Sequence, residues 1–261
     1  MPGMNNHAHV PEWTLVSLRP RGQHAAMRRT AQALGGQLLA LSPWALRACD
    51  DAATRAALVH ALQADRVVFT SPAAVHAAAR LGTLASPHPG AWLAVGAGTA
   101  AALHAHGAEG VRAPERMDSE GLLGLPELAH LQGQSVALVT APGGRGLIAP
   151  TLEARGARLQ RVDVYARTPL RPAPRALQRL RRQPDPWALA LSSAEALAWA
   201  VAELPADLMA RLRSSPVVVA SERLAGLAEA EGFARIQVAQ GPQPLQLARA
   251  AHAVITARAP D

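Results

Sequence analysis

The sequence predicts an α/β protein built as two similar lobes, and three observations carry that prediction. Short β-rich runs alternate with helical stretches from end to end, the pattern that parallel sheets covered by helices produce. A strand–turn–helix pattern recurs later in the chain. Two proline-marked breaks enclose the middle of the sequence.

Taken in order, residues 13–18 read as a strand. Residues 24–34 read as a helix closed by Gly35-Gly36, since glycine tolerates the left-handed geometry of a helix end. A second strand at 37–41 runs into the break Ser42-Pro43. The middle block then alternates: helix 51–62, strand 67–70, helix 73–80, strand 92–95, helix 99–106, strand 135–140, helix 144–155, strand 158–164. Its far edge is the strongest linker signal, residues 168–174, with three prolines in seven positions. Beyond it come strand 188–191, helix 194–203, strand 217–220, helix 221–231, strand 235–238 and helix 244–257.

The repeat is visible residue by residue. Val68-Phe69-Thr70-Ser71-Pro72-Ala73-Ala74-Val75 resembles Ala190-Leu191-Ser192-Ser193-Ala194-Glu195-Ala196-Leu197, each a strand ending in two hydroxyl residues before a helix. Downstream, Val95-Gly96 through Gly107 aligns without gaps on Ala220-Ser221 through Gly232.

Composition bounds the chemistry. Hydrophobic residues make up 49% and aromatic residues only 3%, so the cores must be built from Ala, Leu and Val. All 26 basic residues are Arg. Without lysine there is no Schiff-base nucleophile and no P-loop lysine, which excludes covalent pyridoxal-phosphate chemistry and Walker-type nucleotide hydrolysis. The net charge of +7 fits either an arginine-favouring codon bias or attraction of an acidic partner. The single cysteine, Cys49, permits no internal disulfide. With no apolar run long enough to span a membrane and no signal peptide at 1–10, a cytoplasmic location is expected.

Several segments, in order, resemble the uroporphyrinogen-III synthase family. They are Leu15-Val16-Ser17-Leu18-Arg19-Pro20, the Phe69-Thr70-Ser71 segment, Val95-Gly96 with Thr99-Ala100, Gly143-Gly144-Arg145, Val164-Tyr165-Ala166-Arg167, Ser192-Ser193 and Val219-Ala220-Ser221. Two departures stand out. Thr140-Ala141-Pro142 lies where many bacterial members carry Arg-Gly, and Leu224 fills the slot of Thr99 in the second copy of the repeat.

The resemblance implies two flavodoxin-like parallel-sheet lobes joined by a two-stranded connector. One lobe is discontinuous, 1–41 with 169–261; the other is 42–168. It also implies a substrate, hydroxymethylbilane, whose four pyrroles carry eight carboxylates. Ring A loses hydroxide, ring D attacks through its substituted carbon, and the spiro intermediate recloses with ring D inverted. No cofactor and no metal is expected, and the protein's main resource would be orientation of the reacting ends. The substrate is expected between the lobes. Tyr165, the only tyrosine, corresponds to a family tyrosine thought to assist hydroxide departure; a phenol carries its proton at neutral pH and can donate it.

The strand–hydroxyl–helix turns suit the polycarboxylate substrate that the resemblance implies. Each presents helix N-terminal N–H groups at the carboxyl end of a strand, where anions bind. Ser71, Thr99, Ser192, Ser193 and Ser221 would add donors, or serve as ordinary helix caps. Gly143-Gly144-Arg145 reads as an anion turn or a plain loop, and Arg19 as a cleft cation or a solvated side chain. His7/His9 and His104/His106 lack the spacing and companions of a metal site. Arg179-Leu180-Arg181-Arg182 has no interleaved aromatics, so a solvated helix face is expected rather than nucleic-acid binding. The expected partner is thus a small-molecule substrate, with no nucleic acid or membrane, and the protein is expected to be a monomer. Two rivals differ in class: a synthase-like module that binds a tetrapyrrole or other polyacid without turnover, and a flavodoxin-like small-molecule binder.

Overall fold

The structure, a computed structural model, describes residues 12–84, 90–143 and 146–257. Among them eleven strands occur: β1 Trp13–Ser17, β2 Gly36–Ala40, β3 Trp44–Ala48, β4 Arg66–Phe69, β5 Ala91–Ala94, β6 Ser135–Thr140, β7 Arg158–Asp163, β8 Tyr165–Pro169, β9 Trp187–Leu191, β10 Val217–Val219 and β11 Ile236–Val238. The chain divides into two compact units, one of residues up to Ala45 with those from Pro169 onward, the other Leu46–Thr168.

The first unit holds a fully parallel sheet in the order β2-β1-β9-β10-β11. The second holds another, in the order β5-β4-β6-β7. Numbered by appearance within each sheet, these orders are 2-1-3-4-5 and 2-1-3-4, the flavodoxin-like winding. Where the chain passes between the units, β3 and β8 pair as a two-stranded connector. Bonds from Leu170 N to Pro43 O at one end and Cys49 N to Val164 O at the other make that pair antiparallel.

Parallel strands with helices on both faces must be buried on both faces, and the inner strands β1, β4, β6, β9 and β10 are, whereas the edge strands β7 and β11 keep polar, partly exposed residues. In β9, Trp187, Leu189 and Leu191 enter one core while Ala188 and Ala190 enter the other. In β4, Val67 and Phe69 face one way and Val68 the other. Trp187, Phe69 and their strand neighbours are almost fully buried. Small Ala on one face and bulky residues on the other let few aromatics fill four cores.

The repeated segments have the same local structure. Helix Pro72–Leu81 is capped by Ser71 and helix Ala194–Glu203 by Ser193, and both run ten residues. Helices Ala97–Ala105 and Glu222–Ala230 both run nine. Each then reaches a glycine in the left-handed region, Gly107 at φ 87° and Gly232 at φ 84°. The next N–H reaches back to the helix, Ala108 to Leu103 O and Phe233 to Ala228 O, at 3.1 Å in both cases. This is a Schellman-type end, which only glycine adopts at little cost.

Helices Ser119–Leu123, Pro174–Arg182 and Ala206–Ser214 go beyond the sequence prediction. The proline-rich stretch at 168–174 is less a linker than a junction: Pro169 ends β8 and Pro174 opens a helix at its first position, where a missing N–H costs nothing. That helix carries the Arg179–Arg182 run. Leu180 is buried, while Arg181 pairs with Asp207 through Nε at 2.7 Å and Nη2 at 3.1 Å.

Candidate active site

In a doubly wound sheet, ligands bind beyond the carboxyl ends of the strands, at the point where the winding reverses. In the second unit that point lies between β4 and β6. There the residues following and ending these strands, Thr70 and Thr140, join hydroxyls at 2.7 Å. A cavity of about 220 Å³ opens at this edge, with Thr70, Ser71, Thr140, Arg161, Tyr165 and Arg167 among its walls. Larger hollows lie at the opposite strand ends, 880 Å³ beside Trp187 and Arg211 and 580 Å³ beside Ser135 and Arg158. Size favours those, but the winding and the convergence of hydroxyls with arginines favour the smaller one.

Tyr165 opens β8, and its side chain packs with the core of the second unit at 7% exposure. Its Oη lies 3.2 Å from Ser71 Oγ. Ser71 in turn accepts the Ala74 N–H at 3.1 Å as the cap of helix Pro72–Leu81. Arg161 is braced by Nη2 donating to Ala141 O at 2.9 Å and Nε to Asp163 Oδ1 at 3.0 Å. Gly143 lines the cavity at φ 90°, as does Gly146 at φ 67°. Both conformations suit glycine. Gly144 and Arg145 lie outside the described residues.

Thr99 is placed differently from expectation. It is the third residue of helix Ala97–Ala105, not its cap, and is 2% exposed. Its hydroxyl therefore belongs to the interior and is not among the cavity walls. Leu224, at the matching third position of helix Glu222–Ala230, is 3% exposed. The slot faces the core in both copies, so leucine there removes no donor from an open surface. The cap itself is Gly96, where a Cβ would stand 2.8 Å from Met117 Cβ.

In the first unit the winding reverses between β1 and β9. Ser192 is exposed just past β9, and Ser193 caps the next helix without a side-chain bond to it. Ser221 caps helix Glu222–Ala230, accepting the Leu224 N–H at 3.4 Å. Arg19, half-buried past β1, has a buried Nε with no partner, and desolvation lowers its pKa. Beside it, His24 is buried between two serines, with Nδ1 3.1 Å from Ser17 Oγ and Nε2 2.9 Å from Ser42 Oγ. Burial, then the charges of Arg28 and Arg19, push its pKa down to about 4.

Sequence reading misses Thr140, Arg161 and Arg167 as cavity residues and His24 as a buried group. For Thr140 the available signal is a hydroxyl residue ending an apolar strand; Arg161 and Arg167 stand inside polar strands and His24 at a helix cap, where no such signal exists. Among the described residues, no group of three or more His, Cys, Asp or Glu could hold a metal ion.

The profile of the family described as uroporphyrinogen-III synthase HemD matches residues 25–248. The chain belongs to the uroporphyrinogen-III synthase family. It is 40% identical over 77 residues to the uroporphyrinogen-III synthase of Salmonella typhimurium, covering 29% of this chain and 31% of that relative. It is 33% identical over 163 residues to that of Escherichia coli, covering 61% and 65%. The chain thus aligns with under two thirds of either relative's length. Among solved structures, a mutant uroporphyrinogen III synthase from the extremely thermophilic bacterium Thermus thermophilus superposes with TM-score 0.57 at 20% identity, covering 93% of this chain and 98% of that one. The uroporphyrinogen-III synthetase of Helicobacter pylori gives TM-score 0.54 at 14% identity, covering 88% and 93%. This family member therefore shares the fold of synthases at low sequence identity.

Proposed function

We propose that this chain converts hydroxymethylbilane into uroporphyrinogen III, a cyclisation with loss of water and inversion of ring D, in tetrapyrrole biosynthesis. The observation that carries the reading is the phenol of Tyr165 at the winding-reversal cavity, hydrogen-bonded to a helix cap and accompanied by Arg161 and Arg167. That set combines a proton donor with cations and helix-end N–H groups for carboxylates. The cavity is smaller than the ~300–1,000 Å³ typical for a drug-sized ligand, so it would hold one end of the bilane.

In this reading the ring A C–O bond breaks, its electron pair leaves on oxygen, and Tyr165 gives the proton that makes water. Ring D then attacks the electrophilic carbon through its substituted position. The spiro intermediate fragments and recloses, and the proton lost as the last pyrrole regains aromaticity restores Tyr165. Substrate and product differ only by water, so the balance calls for no electron carrier. Gly143, with Gly144 and Arg145, and Ser192, Ser193, Ser221 and Arg19 are proposed to take the remaining carboxylates. Support comes from the positions of Gly143, Ser192, Ser193, Ser221 and Arg19 just past strand ends and, for Arg19, from a buried Nε that lacks a partner. Among the described residues no helix is long and apolar enough to cross a membrane; we place the reaction in the cytoplasm and the protein as a monomer.

The test is incubation of purified protein with hydroxymethylbilane and separation of the type I and type III products. Type III is expected. Type I alone, the uncatalysed outcome, from a folded protein would remove the catalytic reading in favour of a binding module.

A further inference from the structure

We propose that Ser71 is a positioning residue that acts through Tyr165, rather than a ligand of the substrate. The inference rests on the reading of Tyr165 as proton donor. Ser71 Oγ is already committed as an acceptor, taking the Ala74 N–H at 3.1 Å at the start of a ten-residue helix. Its own hydrogen remains to be donated, and Tyr165 Oη stands 3.2 Å away. A serine that donates to the phenol oxygen leaves the tyrosine's hydrogen directed at the cavity. The opposite arrangement would spend that hydrogen on the serine.

The resulting chain runs from Ala74 N–H to Ser71 O–H to Tyr165 O–H to the leaving hydroxyl. Each donor polarises the next, and the helix end contributes its positive potential. The gain comes at the moment of reaction. As the phenol gives up its proton, charge develops on Oη, and the waiting Ser71 O–H meets it without reorganisation. The buried tyrosine body fixes the geometry, since the ring packs in the core of the second unit at 7% exposure. Thr70, the neighbour of Ser71, is tied to Thr140 at 2.7 Å; this braces the strand ends that carry the serine.

The experiment is a double-mutant cycle with Ser71→Gly and Tyr165→Phe, because residues acting as one unit are non-additive. Glycine is chosen because it is tolerated at a helix cap with little loss, and circular dichroism checks that each variant is folded. In the wild-type background, Ser71→Gly is expected to lower kcat roughly 10-fold, the scale of a hydrogen bond to a charged group, with KM nearly unchanged. In the Tyr165→Phe background, the same change should alter kcat less than about 2-fold. Ser71→Thr keeps both the cap and the hydroxyl and should restore kcat to within about 3-fold of wild type. Equal losses in the two backgrounds, or a loss confined to KM, would make Ser71 a substrate ligand and overturn the proposal. So would a Ser71→Gly enzyme with wild-type kcat. A wild-type protein that yields only type I product would instead overturn the proposed activity, and the two failures are distinguishable.

Discussion

Two side chains carry the sharpest consequences. Tyr165→Phe keeps the ring that packs into the core and removes only the donor, so the fold should survive. General acids contribute about 10²–10⁴-fold. In the proposed cyclisation the leaving hydroxyl also departs unaided, so the expected fall in kcat is at the low end, roughly 10- to 100-fold. Spontaneous closure then competes, and chromatography of the products should show the type I fraction rising. An unchanged rate with type III product alone would leave orientation as the whole account. His24 bears on the pH dependence of stability instead. Its pKa lies at about 4 in the folded protein against 6.5 for the free side chain. Above pH 6.5 the imidazole is neutral whether folded or not, and its full contribution is present. Between 6.5 and 4 the unfolded chain takes up a proton that the folded one refuses, so stability falls as pH falls. Below 4 the loss is complete, at most about 3 kcal/mol. Urea unfolding from about pH 7 to 4 should follow this course. His24→Gln, which retains a donor and an acceptor for Ser17 and Ser42, should flatten that part of the curve.

At the scale of elements, the two copies of the strand–helix–glycine unit make a paired prediction. Gly107 and Gly232 hold nearly the same left-handed φ after helices of equal length. Gly232 has open surroundings, since a Cβ there would meet only the Arg213 side chain at 3.7 Å. The cost of Gly232→Ala is therefore backbone strain alone, about 1–2 kcal/mol. Gly107→Ala carries the same backbone strain, so it should cost at least as much. Urea unfolding of the two variants tests this; a neutral result at either would mean that the helix end relaxes to another geometry. The same duplication explains the slot shared by Thr99 and Leu224. From sequence a threonine near a helix start looks like a ligand-facing donor. One residue past the cap the side chain would lie at the helix end, but at the third position here it turns into the core.

The whole molecule is strongly cationic, with a net charge of +7, and its proposed substrate is a polyanion. Long-range attraction should raise the encounter rate, and added salt screens it beyond about 8–10 Å at ordinary ionic strength. The KM for hydroxymethylbilane should therefore rise, roughly 3- to 10-fold, between low and high salt while kcat changes little. A flat KM would assign recognition to helix-end N–H groups at close range, where screening is weak. Fold similarity at 14–20% identity to the two solved synthases is physically unsurprising. A parallel sheet buried on both faces demands apolar strands and covering helices, but leaves the choice among Ala, Leu and Val open.

The amino-acid sequence is enough to specify the α/β alternation, the duplicated units and their glycine-closed helices, because those depend on local periodicity and on which residues tolerate a left-handed backbone. It also singled out Tyr165 and Ser71 separately. Their meeting at 3.2 Å across 94 positions was decided only by tertiary structure, since it depends on β4 pairing with β6 and on β8 leaving the end of β7. The connector strand β3 was illegible for a related reason: Trp44–Ala48 is only partly buried and is made a strand by its pairing with β8, not by its own composition. The burial of Thr99, the pairing of Thr70 with Thr140 and the enclosure of His24 between Ser17 and Ser42 belong to the same class. Each depends on side chains brought together by strand order, and no local pattern encodes strand order.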